Sequence, residues 1–295
     1  MRIIFDVLRD GLSAINQASS ALAHAQQQVS TGRRVSTAGD DPLAIQQVIG
    51  ERAGIGAIDA YTRTSASAAA RLAATDSVLT GMGDKLTAAS VAALSARGSS
   101  VDPAARAAAS AQVRSLRDAL VSDINTSFQG TYLFSGTVAT QPAYARVAGA
   151  WTYQGNGSTA QVEVERGRLV SVTFDGQSIA QGSDTQDVFT VLDDLATAID
   201  NGDNTAIGVG IDAVERAFGR TQRALGALGA DEQGLDQAAA RLASLRTAAE
   251  TRRSSLEDVN MAEAVTRMTQ AESAYRAALT AVSTAERQSL LDYLR

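Results

Sequence analysis

Ser30-Thr31-Gly32-Arg33-Arg34-Val35-Ser36-Thr37-Ala38-Gly39-Asp40-Asp41-Pro42-Leu43-Ala44 reads as a helix end, a connector and a helix start. Gly32 suits a helix C-terminus, because a residue without Cβ closes the last turn in left-handed backbone at little cost. Asp40-Asp41 before Pro42 marks the next start. A carboxylate caps the free N–H groups of a first turn, and Pro is tolerated there. Residues 33–41 between these signals form the connector.

Upstream, a helix is expected over about 3–31. Leu8, Leu12, Ile15, Ser19, Leu22, Gln26 and Val29 fall at spacings that alternate between four and three. That is a heptad seam, diluted at Ser19 and Gln26. Downstream, a helix is expected over about 42–96, broken by Arg97-Gly98-Ser99-Ser100, and another over about 103–128, opened by Asp102-Pro103. At the far end of the chain the same alternation returns. Met261, Val265, Met268, Glu272, Tyr275, Leu279, Val282, Glu286, Ser289 and Tyr293 hold it within one long helical run from about 231 to 294. Shorter helices are expected over about 186–200 and 203–228.

The pattern changes between 131 and 182. Thr131-Tyr132-Leu133-Phe134-Ser135-Gly136-Thr137 has strand composition. Gln161-Val162-Glu163-Val164-Glu165 alternates apolar and polar residues, Arg166-Gly167 is a turn, and Val170, Val172 and Phe174 alternate again. This is a β-hairpin with one buried face. About half of the aromatic residues, with the only tryptophan, Trp151, lie between Phe128 and Phe174. The fold class is therefore mainly α with a small β-rich insert, in which both chain ends form a long antiparallel helical rod or coiled coil. The expected organisation is 1–33 with 260–295 as an assembly core, 34–130 with 183–259 as a helical rod, and 131–182 as the β-rich middle. A terminal hairpin with so diluted a seam is marginal alone, so the ends are expected to be stable only in an assembly. Leu8, Leu12, Ile15, Leu22 and Val29, with Val265, Met268, Tyr275, Leu279 and Val282, are the candidate assembly-interface residues.

Composition narrows the function. Only 4% of the 295 residues are aromatic while 45% are hydrophobic, and alanine supplies the difference. Such a chain reads as long, closely packed helices. A net charge of −6 argues against nucleic acid as a partner. The absence of cysteine removes disulfides, thiolate catalysis and Cys-based metal sites. No apolar run is long enough for a membrane span. Asp6, Arg9 and Asp10 interrupt the opening residues, so a cleaved secretory signal is not expected.

No constellation for catalysis is found. His24, the only histidine, sits beside the seam without partners for a metal or acid–base role. Asp40-Asp41 fits a helix cap better than a metal pair. Asp193-Asp194 and Arg252-Arg253 read as solvated surface. Gly208-Val209-Gly210 lacks the third glycine of a dinucleotide loop, since Ala213 stands there. Asn156-Gly157-Ser158 has the form of a glycosylation acceptor but reads more simply as a turn. The chain is expected to be no enzyme and to use no cofactor.

The segment 30–44 closely resembles the stretch after the first helix in the bacterial flagellin superfamily. Ala73-Ala74-Thr75-Asp76-Ser77-Val78-Leu79 looks like the next stretch, on the first inner-rod helix. Thr131–Thr137 resembles the opening of that superfamily's β region, and Ser289-Leu290-Leu291-Asp292-Tyr293-Leu294 resembles its usual ending. These matches run the length of the chain in family order. Asp40-Asp41-Pro42, the stretch 187–195 and the stretch 256–264 look more like the branch that joins hook to filament than like filament-building flagellins, the alternative being a short flagellin. The resemblance implies an extracellular structural component of the flagellum, exported unfolded without a cleaved signal. Its implied partners are copies of itself in a helical ring or lattice, hook-associated proteins and flagellin, and an export chaperone that covers the C-terminal helix.

Overall fold

A computed structural model describes the backbone of residues 2–98, 101–138 and 140–293, and within these the side chains from 9 to 284. The chain forms seven helices and six short strands among the described residues: α1 (Arg2–Thr31), α2 (Pro42–Ser95), α3 (Pro103–Ile124), β1 (Ser127–Phe128), β2 (Thr131–Tyr132), β3 (Tyr144–Val147), β4 (Ala150–Tyr153), β5 (Gln161–Glu165), β6 (Arg168–Ser171), α4 (Gly176–Ala180), α5 (Val188–Asn201), α6 (Asn204–Glu257) and α7 (Met261–Tyr293). They divide into two units, one of residues 1–58 with 244–295 and one of residues 59–243.

In the first unit α1 packs against α7, α2 begins and α6 ends. The α1–α7 pair is antiparallel. Near one end Gly11 faces Val282, and near the other the Val259 N–H donates to Gly32 O at 2.9 Å. Gly32 ends α1 at φ +69°, with its N–H returned to Gln28 O. At the start of α2 the two aspartates divide the work. Asp41 caps the helix, its Oδ1 accepting from Ala44 N at 3.0 Å. Asp40 closes the turn before it, accepting from Ser36 N and Thr37 N at 2.8 Å each. Asn260 caps α7 through Ala262 N.

In the second unit α2, α3, α5 and α6 bury one continuous apolar core with the β region. Leu72, Leu79, Met82 and Leu86 of α2 are fully buried, as are Leu120 and Ile124 of α3 and Phe189, Leu192, Leu195 and Ile199 of α5. Each hairpin is an antiparallel pair: β1–β2, β3–β4 and β5–β6. Tyr144 and Trp151 of the β3–β4 hairpin pack on Phe189, and this explains the aromatic concentration. Arg71 of α2 ties two hairpins to the helix by donating to Tyr132 O, Thr131 Oγ1 and Val172 O. Arg220 of α6 does the same for the end of α4, donating to Ile179 O and Ala180 O at 3.0 Å each.

Three expected boundaries move. The helix expected to reach 128 stops at Ile124, because Asn125 turns its side chain to bond both the N–H and the carbonyl of Tyr144. Ser127–Phe128 then opens a tight hairpin through Gln129 and Gly130, both at positive φ. The break expected near 229–230 is absent. Leu228, Leu235 and Ala238 are buried there, and their packing outweighs glycine's cost of about 1 kcal/mol in a helix interior. The break falls instead at residues 258–260, where no proline or glycine signals it. The β3–β4 hairpin was not separately expected. Its turn, Ala148-Gly149 at positive φ in both residues, has no Asn or Asp to announce it.

Candidate assembly surface and the joint beneath it

Nine of the ten candidate interface residues separate into two groups. Ile15, Leu22 and Val29 are half-buried, and so are Met268, Tyr275 and Val282. They alternate with small residues on the same inward faces. On α1 these are Gly11, Ala18 and Ala25, and on α7 Ala264, Ala271 and Ala278. Each helix thus presents an alternating stripe of one large and one small residue, which lets the two backbones come close. A methyl group on Gly11 would lie 2.7 Å from Val282 Cγ2, which shows how little room remains.

Leu12, Val265 and Leu279 fall outside this stripe and are 55%, 43% and 42% exposed. Met261 is exposed with them. Reading by large apolar residues alone gives the heptad 8, 12, 15, 19, 22, 26, 29. The inward stripe takes 15, 22 and 29 from it but replaces 12, 19 and 26 by 11, 18 and 25. Both sets repeat every seven residues, so periodicity alone does not choose between them. The side chain of Leu8 lies outside the described residues.

At the base of the pair, the connector after α1 is bonded to the break between α6 and α7. Arg34 N donates to Glu257 O at 2.7 Å, Arg34 Nη2 to Leu256 O at 2.9 Å, and Val259 N to Gly32 O at 2.9 Å. Arg33 and Asp258 form an isolated antiparallel bridge. The Glu257 side chain, 3% exposed, accepts an ion pair from Arg33 Nε at 2.9 Å and one from Arg52 Nη2 at 2.5 Å, with Arg253 Nε at 3.9 Å. Val35 and Val48 are fully buried nearby in sequence. One turn further along, Glu51 takes a two-pronged contact from Arg252. That hydrogen bond holds the Glu51 carboxyl below its ordinary range.

Glu257 escapes sequence reading because Arg33 and Arg52 lie two hundred residues away. No local pattern links them. Arg252-Arg253, read as a solvated face, turns out to have one member on Glu51 and the other near Glu257. His24 borders the groove between α1 and α7, its Nε2 3.0 Å from Gln28 Nε2 and its Nδ1 3.8 Å from Asp40 Oδ1. Among the described residues no group of His, Asp and Glu is arranged to hold a metal ion, and no helix is long and apolar enough to cross a membrane.

These features, paired terminal helices with a connector bonded into a distant helix break and a β-rich middle, define a class. Residues 10–139 match the bacterial flagellin N-terminal helical region, and residues 211–294 match the bacterial flagellin C-terminal helical region. The chain belongs to the bacterial flagellin family. Among solved structures, a protein described as flagellar hook-associated from Vibrio parahaemolyticus is similar with a TM-score of 0.71 at 20% identity, over 74% of this chain and 100% of that one. FlgL of Xanthomonas campestris is similar at 0.63 and 19% identity, over 69% and 99%. The flagellar junction protein FlgL of Legionella pneumophila is similar at 0.62 and 12% identity, over 72% and 100%. Comparison with curated protein sequences finds no match.

Proposed function

We propose that this chain is a structural subunit of the bacterial flagellum that adapts the hook to the filament. Its paired ends, 1–33 and 260–295, form the assembly core. Residues 34–130 and 183–259 form the rod, and residues 131–182 the β-rich middle. The observation that carries the reading is the apolar row Leu12, Val265 and Leu279, left outside a pair whose inward stripe is already filled. Copies of the same pair, or the matching helices of hook-associated proteins and flagellin, bury that row. A contact repeated in a rotation that does not close builds a helical lattice. Ile15, Leu22, Val29, Met268, Tyr275 and Val282 serve the pair itself, and Leu8 extends the first helix of the core. Similarity in fold to FlgL proteins supports the junction role over that of a filament-building flagellin. Export proceeds unfolded, and a chaperone with an apolar groove covers α7 beforehand.

The test is localisation and shedding. Antibody against the chain should decorate the joint between hook and filament, and sheared filaments should hold it as a trace component. Dominance in sheared filaments would make it a flagellin instead.

A further inference from the structure

The chain contains two Asn-Gly dipeptides, Asn156-Gly157 and Asn201-Gly202. An asparagine followed by glycine can close on itself. The glycine nitrogen attacks the side-chain carbonyl carbon, and the missing Cβ gives the backbone freedom to reach it. The two sites differ in this structure. Gly202 closes α5 with its N–H committed to Ala198 O and Ile199 O, so its nitrogen is occupied. Gly157 is exposed in irregular backbone, and among the described residues its N–H makes no hydrogen bond.

The groups around Asn156 match what the reaction uses. Its Oδ1 accepts from Thr137 N at 3.0 Å, Thr137 Oγ1 at 3.1 Å and Ser158 N at 3.3 Å. Two backbone N–H groups and a hydroxyl therefore face the oxygen on which negative charge grows when the carbonyl carbon is attacked. Asn156 Nδ2, the departing nitrogen, donates to the same Thr137 hydroxyl oxygen at 2.7 Å, which fixes the orientation of the amide, and the proton with which it leaves comes from water. A methyl group on Gly157 would lie 3.8 Å from Asp175 Oδ2, so a carboxylate stands beside the attacking residue. Asn156 N–H donates to Ser135 O, and Tyr153 Oη donates to Asn156 O, which hold the backbone in place.

We propose that Asn156-Gly157 is a self-processing site, at which the folded chain converts Asn156 to aspartate and isoaspartate. The Gly157 nitrogen bonds to Asn156 Cγ and gives up its proton towards Asp175 or water. The Cγ–Nδ2 bond then breaks, and the nitrogen leaves as ammonia after protonation. Water opens the resulting cyclic imide at either carbonyl, and no electron acceptor is needed. The aspartate product keeps the Thr137 and Ser158 N–H groups as donors to a carboxylate. The isoaspartate product lengthens the main chain at the point where Gly136, at φ +65°, packs against Asn156. Either product adds a negative charge to the β region with age.

The experiment is peptide mapping by mass spectrometry of the full-length chain held in neutral buffer, with enzymatic methylation to count isoaspartate. The same chain unfolded in urea gives the unassisted rate. Asn156 should convert in the folded chain at least about tenfold faster than in urea, within the scale of positioned oxyanion donors. Asn201 should remain an amide. Thr137→Val and Asp175→Asn should each slow conversion; the latter keeps a capping side chain on α4, so it tests the carboxylate without removing the cap. The proposal is overturned if folded Asn156 converts no faster than unfolded, or if both variants match the parent while retaining its circular dichroism.

Discussion

At Glu257 one buried carboxylate meets three arginines while its backbone carbonyl accepts the connector. Replacing it by glutamine keeps the volume but removes the charge that holds Arg33 and Arg52. Charge-assisted hydrogen bonds of this kind contribute about 1.5–3 kcal/mol, so Glu257→Gln should loosen the joint by about 2 kcal/mol. Amide exchange at residues 33–36 and 256–260 should then rise together; a rise on one side only would mean the two segments are not coupled through this side chain. Asp40 gives the joint an acid limit. Backbone hydrogen bonds from Ser36 and Thr37 hold its carboxyl down to about 2, from an ordinary 3.8. A lowered folded value stabilises the turn above the unfolded value, and that contribution is lost as pH falls towards 2. The Ser36 and Thr37 amide resonances should therefore stay fixed down to about pH 4 and move below it. Movement beginning at higher pH would contradict this.

Among the elements, α1 and α7 show best what a sequence discloses. The heptad was legible at Ile15, Leu22, Val29, Met268, Tyr275 and Val282, because large apolar residues mark it. The companion positions were not. Gly11, Ala18, Ala25, Ala264, Ala271 and Ala278 are small, and in a chain this rich in alanine nothing distinguishes a packing alanine from a surface one. The same blindness placed a break near 229–230 in α6, where glycines are visible and the buried leucines that override them are not. Gly11 turns this into a prediction. Gly11→Ala should destabilise the α1–α7 pair by about 1–3 kcal/mol through overpacking, although alanine is the better helix former. Val282→Ala in the same chain should restore most of the loss, as read by exchange in α1 of the assembled chain; failure to restore would mean that the two residues do not face each other. In the second unit, Arg71→Ala should free the β1–β2 and β5–β6 hairpins from α2, with faster exchange at Leu133 and Phe174 and little change at the α3–α5 contact.

Over the whole molecule, the flagellin resemblance was most legible at 30–44, a helix end with its connector, and at 131–137, which opens on a hairpin strand, where backbone geometry restricts the residue choice; the stretch 73–79 lies inside α2. The Glu257 cluster was not, because only the fold brings its members together. The account predicts that the ends act in the assembly. Leu279→Asp puts a charge on the outward row without touching the inward stripe. It should abolish incorporation into the flagellum while leaving the monomer's helical content unchanged, since a charge buried without a partner is costly only where copies meet. Normal incorporation would remove Leu279 from the interface.

Hydrogen exchange on the full-length chain, read segment by segment as a free monomer and again after assembly, reaches the central claim most directly. The account predicts little protection in α1 and α7 of the monomer, firm protection in α3 and α5, and strong gain in the terminal helices alone on assembly. Terminal helices already as protected in the monomer as α3 and α5, with no gain on assembly, would mean a self-sufficient fold whose ends do not build the lattice.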